Sequence, residues 1–200
     1  MKSNIIMLPS GKDENALQLV LAETEKVAAY QNLEKKQTGR LRLLAEEMVE
    51  MLPELLSFAQ GEFWIECTGT AYELHTRLQP SDLLSMETRE TLLSMSKSGK
   101  NAAAVGIGAK IRLAALFMLI DYKKATEEMP LEYTFYQDGL CASHPYSLPT
   151  WSLAAYRKTA DKTQTEKWDE LEKSIIANLA DDVLVGVTEK QVEIIVKKTF

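Results

Sequence analysis

Apolar residues recur at helical spacing through the first quarter of the chain, switch to strict alternation, return to helical spacing near the middle and end on alternation. A short apolar run at 4–8, closed by Pro9, Ser10 and Gly11, predicts a first strand and a turn. Ser10 with Asp13 makes an S-x-x-D start signal. Leu17, Val20, Leu21, Thr24, Val27 and Ala28 then repeat three and four apart, which predicts a helix over 13–30. Thr38 is the expected N-cap of a second helix, with a stripe of Leu41, Leu44, Ala45, Met48, Met51, Leu52 and Leu55. Pro53 is expected to kink or restart it, because proline has no N–H to give the preceding turn.

From Gly61 the period becomes two. Phe63, Ile65 and Cys67 share one face, and Tyr72, Leu74, Thr76 and Leu78 alternate after Gly69-Thr70, so a β-hairpin is expected that ends at Pro80 and Ser81. Residues 82–95 are mixed in pattern and predict a helical region. A long apolar helix follows Gly106 and Gly108 and is expected to end near Asp121. Further on, the pattern predicts a strand at 131–136, an irregular segment at 141–150, a short helix at 151–158 and a longer one at 164–179. A closing hairpin of 183–187 with 192–196 ends the chain. This order predicts a single domain over 1–200. Its expected architecture is an α+β two-layer sandwich, with helices packed on one face of a mostly antiparallel mixed sheet.

Composition narrows the function classes. Close to half of the 200 residues are hydrophobic, as in an ordinary globular domain. The formal charge of -6 argues against general nucleic-acid binding, which needs a surplus of Lys and Arg. The longest apolar stretch, 113–120, lies between Arg112 and Asp121 and falls short of the roughly 18–20 residues of a membrane span. The amino end lacks the apolar length of a signal peptide, so a cytoplasmic protein is expected, with Cys67 and Cys141 as reduced thiols.

The chemistry concentrates around SKSGKNAAAVGIGAKIRLAALFMLIDY, residues 96–122. Small polar residues, Lys97, Gly99, Lys100 and Asn101 lead through Gly106 and Gly108 into a helix. Such a loop can turn backbone N–H groups and a helix dipole onto an anion, because glycine has no Cβ to hold the ligand off. The plainer reading is that the two glycines only let a buried helix start close to a sheet. The segment 94–101 fails as a Walker-type loop, since Ser94 and Asn101 replace the residues that motif needs. Cys141 and His144 supply two metal ligands at most, too few for a zinc site, with His75 away in the hairpin.

The element order resembles the GHKL ATPase fold shared by gyrase, heat-shock chaperones, histidine kinases and MutL, and especially its short anti-sigma-factor-like members. The helix RLRLLAEEMVEML at 40–52 is similar to the family's E-x-x-x-N helix that holds Mg²⁺, 61–78 to its hairpin, and 99–119 to its last glycine box. The resemblance implies an adenine nucleotide, ATP or ADP with Mg²⁺, with Gly99, Gly106 and Gly108 shaping the phosphate loop and Lys97 and Lys100 supplying charge. It also implies Glu46 and Glu50 as metal ligands and Asp82 as the adenine contact. The sequence departs from the pattern in two places. Glu46 brings Glu50 to the asparagine position and Glu47 brings Met51, and no glycine stands between Asp82 and Gly99. The implied function is a regulatory or interaction module that binds nucleotide without efficient hydrolysis. Its rivals are an anti-sigma-like serine/threonine kinase and a structural protein with an empty pocket. A protein partner is expected, a second copy of the chain being one candidate.

Overall fold

Both periodicities become elements in the computed structural model, which describes residues 1–81, 107–126, 140–141, 150–159, 174–188 and 191–200. The chain runs β1 (Ile6–Pro9), α1 (Glu14–Tyr30), α2 (Lys35–Leu55), then the hairpin β2 (Phe58–Thr68) and β3 (Ala71–Pro80). After these come α3 (Ile107–Thr126), the short strands β4 (Leu140–Cys141) and β5 (Thr150–Ser152), α4 (Leu153–Thr159) and α5 (Ile175–Leu179). The closing hairpin is β6 (Asp182–Thr188) with β7 (Gln191–Thr199). The seven strands form one sheet in the order β1-β2-β3-β7-β6-β5-β4. Every pairing among the described residues is antiparallel, so the parallel part of the expected mixed sheet does not occur among them.

Register sorts the side chains. Ile6, Phe63, Thr76, Ile194, Val185 and Trp151 are aligned across six strands on the face turned to the helices. α1 lies over β1 and β2, α2 over β7 and α3 over β6, with α2 touching α1, α3 and α5. Leu41, Leu44, Ala45, Met48, Leu52 and Leu55 of α2 are buried in one cluster with Phe63, Ile65, Leu74, Leu78, Val183 and Val196. This is the two-layer α+β sandwich. Gly69 turns the first hairpin with φ 61°, a conformation that costs glycine nothing.

Several boundaries differ from the sequence expectation. Asp13, not Ser10, caps α1, its carboxylate accepting from the Ala16 N–H at 3.0 Å. α2 begins a turn before Thr38: the Glu34 N–H donates to Gln37 Oε1 at 3.0 Å, while Thr38 Oγ1 turns back to the Glu34 carbonyl. Pro53 sits in the last turn of α2, where the helix runs on to Leu55 without a restart. α3 extends to Thr126, past Asp121.

Both ends of the segment expected to be irregular, Cys141 and Thr150, are strand residues, and Trp151 belongs to β5 rather than to a helix. No continuous helix spans 164–179. Ser174 is extended (φ -91°, ψ 123°) and its Oγ accepts from the Ala177 N–H at 3.2 Å, so α5 starts afresh at Ile175. The predicted helix at 82–95 and strand at 131–136 lie outside the described residues.

Candidate functional site

Helix α2 carries the three acidic candidates. With 3.6 residues per turn, Glu47 stands a third of a turn or more from Arg42, Val49 and Pro53. Those three residues mark the α1 side: Arg42 pairs with Glu25 of α1, and Val49 and Pro53 line a groove with α1 residues. Glu47 is therefore on the side away from α1. Burial, then Glu50 and Glu46, hold its carboxyl above the usual carboxylate range. Glu46 is half-buried and Glu50 exposed.

The two registers of the acidic box thus diverge in space. Glu50 lines the α1 groove, a cavity of about 200 Å³ whose floor includes Leu8, Ala16, Leu17, Leu52 and Phe58 and whose rim carries Lys12, Asp13 and Glu14. In the other register, Met51 is partly buried and packs against the core.

Of the glycine loop, only Gly108 falls among the described residues. Asp82, Lys97, Gly99, Lys100, Asn101 and Gly106 lie outside them. Gly108 sits in the first turn of α3, and a Cβ built there would meet nothing within 4 Å among the described residues. Crowding against the described strands therefore does not explain this glycine. Because α2 packs on α3, the fold sets the acidic helix beside the helix that the glycine loop opens into.

Cys141 and His75 are not brought together. Cys141 is on β4 and His75 on β3, four strand spacings or about 19 Å apart. No group of three His, Cys, Asp or Glu side chains that could hold a metal ion occurs among the described residues. None of their helices is long and apolar enough to cross a membrane. Cys67 is a free, buried thiol.

Sequence reasoning passed over the far face of the sheet, where Trp64 and His75 are directly opposed across β2 and β3 and both buried. Alternation marks them as turned away from the helices. Their partners come from β7 and from the amino end, which no local pattern joins to the hairpin. No protein-family model and no curated protein matches the chain.

Proposed function

We propose that the chain is a GHKL-like regulatory or interaction module that binds an adenine nucleotide at the head of α3 without efficient hydrolysis. The observation that carries this reading is Gly108, a glycine in the first turn of a long helix with no described residue within 4 Å of where its side chain would begin. A helix start without a Cβ leaves its free N–H groups accessible to a phosphate. α2 lies alongside, and its Glu47 carboxyl is raised first by burial and then by the neighbouring carboxylates of Glu50 and Glu46. A Mg²⁺ ion shared by Glu46 and Glu50, on the α1 side of α2, would offset that concentration of negative charge. Under this proposal Gly99 and Gly106 complete the loop, Lys97, Lys100 and Asn101 contact the phosphates, and Asp82 reads the base. The module acts in the cytoplasm through a protein partner.

Isothermal titration of ATP and ADP, with and without Mg²⁺, tests the reading on the wild type and on Gly108→Val. A Cβ at this position meets no described residue within 4 Å, and the melting temperature of the variant checks that it stays folded. Micromolar binding, about 8 kcal/mol, that the variant loses supports a nucleotide at this helix. Absence of heat at millimolar nucleotide overturns it.

A further inference from the structure

Helices α1 and α2 part at the end away from their connection. Arg42 still pairs with Glu25 between them, but the start of α1 and the last turns of α2 stand on either side of the groove. Leu8, Ala16, Leu52 and Phe58 are buried beneath it, and Leu17 and Val49 are half-buried in its walls. Its volume of about 200 Å³ falls below the roughly 300–1,000 Å³ of sites that enclose a drug-sized ligand, and suits one large apolar side chain.

The rim sets the charge of whatever carries that side chain. Among the lining residues the carboxylates of Asp13, Glu14 and Glu50 face one ammonium, that of Lys12. Asp13 is committed to the Ala16 N–H, whereas Lys12, Glu14 and Glu50 are exposed and have no ion pair among the described residues. The positive end of α1 and the negative end of α2 both lie at the groove and offset one another at about half a charge each. Asp13 and Glu14 already meet the first, while no basic residue in the last turn of α2 meets the second. Pro53 adds an acceptor. Having no N–H, it leaves the Val49 carbonyl without its usual helical donor, and both residues line the groove. The rim therefore lacks a cation.

We propose that this groove is the docking site of a protein partner, which inserts one large apolar side chain and meets Glu14, Glu50 and the Val49 carbonyl with the lysine or arginine residues flanking it. The net charge of -6 favours such a basic partner over a second copy of this acidic chain. The proposal rests on the interaction half of the proposed function and not on the nucleotide.

The test uses the full chain without nucleotide or Mg²⁺, since Glu50 belongs to both readings. Amide spectra are followed against three capped tripeptides, Lys-Phe-Lys, Glu-Phe-Glu and Lys-Ala-Lys. Lys-Phe-Lys at millimolar concentration should saturably shift Leu8, Leu17 and Val49. The peptide of opposite charge and the one without the anchor should each bind about tenfold more weakly. The double variant Glu14→Lys, Glu50→Lys, altered only at exposed positions, should prefer Glu-Phe-Glu. Equal affinity for the two phenylalanine peptides, or shifts that avoid the groove, overturns the proposal. So do groove shifts that grow with protein concentration alone, which would seat a second copy there. Failure here leaves the nucleotide reading standing, and a silent nucleotide titration leaves this result standing.

Discussion

A Cβ added at Gly61 would lie 2.8 Å from Leu78 Cδ2, 3.3 Å from Leu8 Cβ and 3.4 Å from the Arg77 carbonyl oxygen. Leu78 is fully buried and Leu8 nearly so, leaving neither room to give way. Gly61→Ala should therefore cost about 1–3 kcal/mol as overpacking, read as a lower urea midpoint at unchanged slope. Gly108→Ala should do the reverse. With nothing among the described residues near its Cβ, it should gain up to about 1 kcal/mol of helix propensity. If the glycine is there for a ligand, the same variant will be more stable yet bind nucleotide less tightly. Unchanged affinity would leave Gly108 without a part in binding. Glu47 offers a third measurement at this scale. Burial, Glu50 and Glu46 raise its carboxyl, so its ionised form weakens the fold above that raised value. Glu47→Gln should stabilise the protein at pH 7 by about 0.3 kcal/mol, the size of a like-charge pair one turn apart, and lose that advantage below pH 4.5.

Among elements, β1 is tied to the helix that follows it as well as to β2. It is an edge strand, and the Asn4 N–H just before it donates to Glu23 Oε1 of α1 at 3.0 Å, with the Asn4 amide on Oε2 at 3.3 Å and Lys26 at 3.2 Å. Burial alone would raise the Glu23 carboxyl, but these donors outweigh it and hold the carboxyl below its ordinary value. Stability from this tether is therefore present above pH 4.5 and lost as pH falls through the lower folded value. Glu23→Ala should cost about 1–2 kcal/mol at neutral pH and speed amide exchange in β1. The gap from wild type should close in acid. Equal exchange in the two proteins would show that β1 holds without Glu23.

Elements of this kind were legible wherever pattern and partner are close in sequence. The hairpin at Gly69, the α1 and α2 stripes and the β6–β7 hairpin follow from alternation and helical spacing alone. Helix starts were less legible, because Thr38 and Glu34 compete for one helix end and only backbone geometry shows which caps it. Ser174 was overlooked because the apolar residues on either side continue a helical stripe across it. β4 and β5, of two and three residues, carry no period of their own; β5 exists through pairing with β6, and β4 through pairing with β5. The Trp64–His75 cluster was illegible for the same reason: Glu193 and Lys197 reach it only through the β3–β7 register.

At the scale of the whole molecule, the proposed function requires that nucleotide binding and turnover come apart. The acidic helix offers Glu50 or Met51 where the family it resembles has asparagine, and Glu50 faces the α1 groove rather than a completed metal site. A ligand held by a helix start and a metal can still bind, since those contacts need only N–H groups and carboxylates. Mg·ATP at a hundred times its dissociation constant should then stabilise the fold by about 2.7 kcal/mol. For a domain of this length that raises the melting temperature by about 5–10 °C. ADP should act similarly, and phosphate release should stay at the rate measured without protein. Rapid release, lost on changing Glu46, would make the chain a working ATPase or kinase despite its altered box. A melting temperature indifferent to nucleotide would mean that the sandwich is kept for its surfaces, and partner binding would then be the activity to assay.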